Sequence, residues 1–191
     1  ILQRVNHQVF KNVPALMENM INVTSFLRKQ VVAAGGDPDR ECLTLIPTLD
    51  GAFYTVDPDG NYWRAFIFIE NAITFQTVGK PEHFYYSACA FGKFQRLLAD
   101  YPSETLHETI PNFHNTASRY RDFEAAVAAN VSGRAGEVAD EIAFVRARKD
   151  DTGVLVGMLE RGELPLRVTH NDTKLNNVML DDVTGKPVAV I

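Results

Sequence analysis

Apolar positions follow two rhythms along the chain, and the rhythm changes near residue 81. From Asn12 and Pro14 onward, Leu16, Met20, Val23 and Leu27 recur at spacings of three or four, which predicts a helix with one buried face running to about Val32. Gly35-Gly-Asp-Pro ends that helix. Ile1 to Val5 is strand-like, and Leu43 to Leu49, Gly51 to Val56 and Trp63 to Glu70 are rich in β-branched and aromatic residues, predicting three further strands. Asp57-Pro-Asp-Gly-Asn, between the last two, has the composition of a tight hairpin turn.

Beyond Pro81 the pattern turns helical. Phe84, Ala88, Phe91, Phe94 and Leu98 define one face of a helix over Pro81 to Ala99, and further helices are predicted at Thr116 to Ala129 and Gly136 to Glu160. Gly162 and Pro165 stop the last of these, and a hairpin follows, Asn177 to Leu180 and Pro187 to Ile191 around Thr184-Gly-Lys. The expected class is α+β: a β-rich part over 1–70, a connector over 71–80, and a mostly helical part with a terminal hairpin over 81–191.

Composition narrows the partners. The net charge is −5, from 24 acidic and 19 basic residues, and the basic ones are scattered, which argues against a nucleic-acid partner. No apolar run approaches the roughly 20 residues of a membrane span, and Ile1 to Phe10 lacks the pattern of a signal peptide, so no membrane partner and a cytoplasmic location are expected. Cys42 and Cys89 lie far apart without metal-ligand spacing and read as two buried thiols. The first residue is not methionine and Ile191 falls inside the apolar run Pro187-Val-Ala-Val-Ile, so a fragment of a longer protein is expected.

One motif carries chemistry. In Leu166-Arg-Val-Thr-His-Asn-Asp-Thr-Lys-Leu-Asn-Asn-Val-Met-Leu, His170 precedes Asp172 by two residues and Asn177 follows Asp172 by five, just ahead of the hairpin. Phosphoryl transfer asks a protein to position donor, acceptor and metal and to neutralise moving charge. Asp172 suits the group that orients an attacking hydroxyl and receives its proton. Asn177 offers a neutral hard oxygen suited to Mg²⁺, and His170 suits a scaffold for the loop. The same residues equally suit a polar turn before a hairpin.

The spacing resembles the catalytic loop of the protein kinases, and with asparagine at 171 it is more similar to that of the aminoglycoside and choline phosphotransferases. Glu163 to Ile191 is similar throughout to the N-acetylhexosamine 1-kinase group, whose loop reads much like His-Asn-Asp-Thr-Lys-x-Asn-Asn and whose hairpin ends in I-D-L-D-T. The resemblance implies a protein-kinase-like two-lobed fold, incomplete at both ends, and ATP- and Mg²⁺-dependent phosphorylation of a small-molecule hydroxyl. A sugar is the implied substrate, at the anomeric hydroxyl of an N-acetylhexosamine. The aspartate resembling the kinase metal ligand would follow Ile191, so the 191 residues alone are expected to be inactive; Asp181 and Asp182 read as turn residues.

Leu2-Gln-Arg-Val-Asn is similar to the third strand of the family's small lobe and Ala15-Leu-Met-Glu-Asn to its helix, which implies a phosphate-holding base paired with a glutamate. Glu18 is the candidate glutamate. Arg4 is the candidate base, with Gln3 as the alternative because neighbouring strand residues face opposite sides; a solvated strand end and a helix surface charge are the other reading. Ala65-Phe-Ile-Phe-Ile-Glu-Asn resembles the last strand and hinge, where the backbone of Phe68 to Glu70 would meet adenine, although its aromatics also suit a core. Phe91 to Asp100 and Thr109 to Tyr120 resemble further segments of the group, making Asn115 and Arg119 candidates for sugar hydroxyls, while His114-Asn-Thr equally makes a helix cap. His107 and His114 show no metal spacing. The rival expectations are a kinase of another metabolite (an aminoglycoside, choline or homoserine) and a nucleotide-binding pseudokinase.

Overall fold

The computed structural model describes residues 1–191 as a mixed α and β fold. In chain order the elements are β1 (Leu2–Arg4), α1 (Val13–Ala33), α2 (Pro38–Glu41), β2 (Leu45–Ile46), β3 (Thr55–Val56), β4 (Tyr62–Phe66), β5 (Ala72–Ile73), α3 (Pro81–Leu97), α4 (Thr116–Ala129), α5 (Ala139–Arg146), α6 (Val154–Glu160), β6 (Val178–Asp181) and β7 (Pro187–Val190). They form two compact units. One comprises Ile1–Thr109 with Arg167–Ile191, the other Ile110–Leu166. Residues 71–80 lie within the first of these units. A single core of Leu27, Val31, Cys42, Leu98, Tyr101 and Val168 joins residues from both sides of that segment.

In the first unit, β4 is the hub of an antiparallel sheet, pairing with β1, β2 and β3. The register places Gln3 opposite Arg64 and Arg4 opposite Trp63. The strands are shorter than the apolar runs that predict them. Pro47 has no N–H to give, and Gly51, at φ +85°, bonds Thr48 in a turn that interrupts the run between β2 and β3. The turn from β3 to β4 forms where expected. One Asp57 carboxylate accepts from the backbone N–H of Asp59 (3.0 Å) and Asn61 (2.8 Å) and from the indole of Trp63 (2.8 Å).

α1 begins as its sequence directs, with the Asn12 side chain accepting from the Ala15 N–H at 3.1 Å and Pro14 in the first turn. Its buried stripe is Val13, Met17, Leu27 and Val31. The predicted stripe of Leu16, Met20, Val23 and Leu27 is thus only partly right: Leu16, Met20 and Val23 are half-buried flanks, because Met17 is the residue enclosed by Val5, Leu45 and Phe66.

The predicted face of α3 is also rotated. His83 (7% exposed), Ser87 and Ala90 are buried, whereas Phe84 is 62% exposed. Positions 83, 87 and 90 make as good a helical stripe as 84, 88 and 91, and the choice falls to the partner: Ala90 packs with Val178 and Leu180 of β6, and the His83 ring stacks on Phe75 at 4.0 Å. Cys89 consequently lies on the outward side and is exposed, contrary to the expectation of two buried thiols. Cys42 is buried, which pushes its thiol up to about 11, and both cysteines are free.

The segment read as a connector contains β5, which pairs with β6 and extends the terminal hairpin to a three-stranded sheet, β5-β6-β7. Gly185, at φ +68°, turns β6 into β7.

In the second unit α4 has its predicted bounds, set by Asn115 at its start and by Asn130, left-handed at φ +41°, at its end. The single helix predicted over 136–160 is broken into a 3₁₀ turn at Ala135–Val138, α5, a 3₁₀ turn at Asp150–Gly153, and α6. Asp150, Asp151, Thr152 and Gly153 are all weak helix formers, and the Thr152 hydroxyl bonds back to the Lys149 carbonyl at 2.6 Å. Arg146 ties α5 to α4 through both oxygens of Glu124. No helix of the chain is long and apolar enough to cross a membrane.

Candidate active site

The loop from Val168 to Asn177 is anchored at both ends. Val168 sits in the core, and the 3₁₀ turn Leu175–Asn177 leads into β6, whose Val178 is buried. Between them His170 is held on four sides. Its ring meets Phe91 and Phe94 edge-on at 5.5 and 5.9 Å, its Nδ1 accepts from the Asp172 N–H at 3.3 Å, and its Nε2 lies 2.9 Å from the Ile191 carbonyl. With Nδ1 accepting, Nε2 donates to Ile191, so the ring meets both neighbours. His170 thus joins α3, the end of β7 and the loop.

Asn171 has φ +66°. That left-handed conformation reverses the chain between His170 and Asp172 and suits asparagine far better than a β-branched residue.

Asp172 projects from this reversal with its side chain about half exposed. Lys174 Nζ lies 3.0 Å from Oδ1, and Asn177 Nδ2 donates to Oδ2 at 3.1 Å and to the Asp172 carbonyl at 2.6 Å. Lys174 first, and Asn177 second, hold the carboxyl below its ordinary value. Asp172 is therefore ionised at neutral pH, fixed in direction and open to solvent, which a proton acceptor for an outside hydroxyl requires. Lys174 was not among the residues picked from sequence; its signal was a basic residue two positions after the aspartate.

Asn177 spends its amide nitrogen on Asp172, which leaves Oδ1 as a neutral hard donor beside a carboxylate. This fits one ligand of a Mg²⁺ ion otherwise held by carboxylate and phosphate oxygens. No group of three or more His, Cys, Asp or Glu side chains is arranged to hold a metal.

The other sequence candidates are less unified. Arg4 and Glu18 do not pair: Arg4 lies exposed on β1, and Glu18 accepts from His107 Nε2 at 2.9 Å. The neighbouring Asn19 fixes that contact by exchanging two bonds with the His107 backbone. The residue of β1 on the α1 side is Gln3, whose Oε1 accepts from Arg64 Nε at 2.9 Å. Arg64 touches the sulfurs of Met17 and Met20, and sequence reasoning missed it because only strand register brings it to Gln3.

Phe68 is exposed and follows the last paired residue of β4. No backbone hydrogen bond links its N–H or carbonyl to another group of the chain. The Glu70 carbonyl, by contrast, is taken by Arg40, which also donates to the Asn71 carbonyl (2.9 Å) and the Asp181 carboxylate (2.6 Å). Asp181 is accordingly a staple rather than a merely solvated turn residue, accepting from Thr184 N–H and Oγ1 as well.

Asn115 and Arg119 belong to the second unit. Asn115 Oδ1 accepts from the Ser118 N–H at 2.9 Å, so the helix cap is formed, and Arg119 bonds the Phe113 carbonyl while lying over the Phe113 ring. No protein-family model matches the chain.

Proposed function

We propose that the chain carries the phosphoryl-transfer loop of an ATP- and Mg²⁺-dependent small-molecule kinase with a protein-kinase-like two-lobed fold, acting on the anomeric hydroxyl of an N-acetylhexosamine. The observation that carries the proposal is Asp172: a solvent-facing carboxylate kept ionised by Lys174 and Asn177, on a loop locked by His170. The likeness of the loop, the hairpin and the 91–120 segments to the hexosamine kinase group supports the sugar as acceptor.

In this mechanism Asp172 accepts a hydrogen bond from the attacking hydroxyl, aims its oxygen and receives its proton as the new P–O bond forms. Lys174 lies close enough to offset negative charge that builds beside Asp172 during transfer. His170 positions the loop through its two ring-nitrogen contacts. Asn177 Oδ1 is the group of this loop that would hold a Mg²⁺ ion brought with the nucleotide, and such an ion would withdraw charge from the phosphate oxygens.

The test uses the full-length protein. With ATP and Mg²⁺, ADP release should depend on N-acetylglucosamine or N-acetylgalactosamine, and Asp172→Asn should lower kcat by about 10²-fold or more, the usual reach of general-base catalysis, while nucleotide affinity survives. Activity of Asp172→Asn within threefold of wild type removes the role. A site bonded to sugar hydroxyls should discriminate against choline, homoserine and kanamycin by up to about 10⁴ in kcat/KM. Preference for one of those acceptors moves the protein to another kinase class, and no turnover with any acceptor makes it a nucleotide-binding homologue.

A further inference from the structure

Arg64 sits where a cation is costly. Tyr62, Arg64 and Phe66 alternate along β4, and Tyr62 and Phe66 pack into the core around Met17, so the Arg64 side chain shares the face covered by α1. A guanidinium in such surroundings is ordinarily balanced by a carboxylate. Here its partners are all neutral. Nε donates to Gln3 Oε1, Nη1 meets the Met17 and Met20 sulfurs, which are weak acceptors, and the group lies 5.1 Å from the Phe66 ring centre. Nη2 donates to nothing in the chain. The carboxylate next along α1, Glu18, is engaged by His107.

The outer side of the pair is open. Gln3 is exposed on β1, and β1 pairs with β4 alone, so the Gln3 end of the guanidinium faces solvent at the sheet edge. Burial pushes the Arg64 guanidinium down from its ordinary value with no nearby charge acting on it. A desolvated cation with two unspent donor directions and one accessible side is complementary to an anion that accepts bidentately, and phosphate oxygens match that fork.

We infer that Arg64, oriented by Gln3, is an anion-binding residue that takes the oxygens of a phosphoanhydride. The name of the ligand rests on the proposed kinase function, under which it is the phosphate chain of ATP; the anion site itself rests on the geometry. Arg64 then supplies the charge that the family resemblance led one to expect from Arg4.

Calorimetric titration of the full-length protein with ADP, inorganic pyrophosphate and adenosine separates the cases. Arg64→Met should fold, since its stem takes the same path between Met17 and Met20 and no buried charge remains. It should bind ADP and pyrophosphate about tenfold or more weakly, the size of a lost charge-assisted contact, and bind adenosine as wild type does. Arg64→Lys should recover part of the loss, and Arg64→Gln serves if the methionine variant misfolds. Wild-type protein that binds neither ADP nor pyrophosphate overturns the inference, as does pyrophosphate affinity unchanged in Arg64→Met. So does an equal loss of adenosine and ADP. Arg64-dependent pyrophosphate binding without sugar-dependent ADP release would keep the anion site and remove the kinase.

Discussion

The side-chain amide of Asn177 holds Asp172 twice, donating from one nitrogen to the backbone carbonyl at 2.6 Å and to carboxylate Oδ2 at 3.1 Å. A single residue thereby fixes both the path of the loop and the direction of its acid. Asn177→Asp keeps the shape and replaces the donor with a second carboxylate, which repels the first and raises the Asp172 pKa. Its kcat/KM at neutral pH should fall by about tenfold or more through the lost charge-assisted bond. Steady-state kinetics on the full-length protein checks this, and undiminished activity would mean that the double contact is unimportant to turnover.

Lys174 is the largest cause holding the Asp172 carboxyl below its ordinary value. Under the proposed mechanism Asp172 is a base that works only when ionised, so the acid limb of the kcat/KM profile should lie below that value. Lys174→Met removes the stabilising charge, the pKa rises, and the limb must move to higher pH. Comparing profiles of the two proteins from well below the ordinary carboxylate value up to neutral pH decides it. A limb that stays put, or moves lower, would show that Asp172 is not the titrating base.

Asn171 adopts φ +66° between the scaffold and the acid. Glycine reaches this conformation without penalty, whereas valine pays about 1–2 kcal/mol or more in steric strain. Asn171→Gly should therefore retain most activity, and Asn171→Val should lose both activity and thermal stability. Equal behaviour of the two variants would mean that the backbone reversal does not matter.

These contacts mark how far the sequence could be read. The loop was legible because His170, Asp172 and Asn177 interact across seven residues, and the same locality made the Asn12 cap, the Asp57 turn and the bounds of α4 readable. What escaped needed distant partners. β5 is two residues long and exists only because β6 lies beside it. The face of α3 was misjudged since Phe84 outranks His83 in apolarity, yet Phe75 and β6 decide which of them is buried. Arg64 and Gln3 are 61 residues apart, and nothing short of the register of β1 on β4 joins them.

Arg40 makes a prediction about the segment at Glu70 and Asn71. It gathers the carbonyls of Glu70 and Asn71 and the carboxylate of Asp181, and so fixes the 70–71 backbone to the end of β6. Arg40→Ala leaves those acceptors to water and should loosen the segment rather than unfold the core. Hydrogen exchange should rise at residues 70–73, and KM for ATP should rise more than kcat falls. Unchanged exchange there would show that the β5 pairing alone holds the segment.

The Asp57 turn gives a test of stability that is independent of function. The Trp63 indole, then the backbone of Asn61, hold the Asp57 carboxyl down from the ordinary 3.8 to about 2. A carboxylate whose pKa is lowered by folding stabilises the fold above its unfolded value and loses that contribution as pH falls through its folded value. The stabilisation should therefore be complete above about pH 4 and fade between there and about pH 2. Trp63 is the only tryptophan, so its fluorescence reports the turn directly. Asp57→Asn still offers an oxygen to the backbone donors, and the hairpin should form, but with no titrating group its Trp63 signal and its urea midpoint should be flatter across that window. Wild-type fluorescence that titrates near 3.8, or an equal pH slope in Asp57→Asn, would show that the carboxylate is solvated and that the hairpin is held by its backbone bonds and the β4 pairing alone.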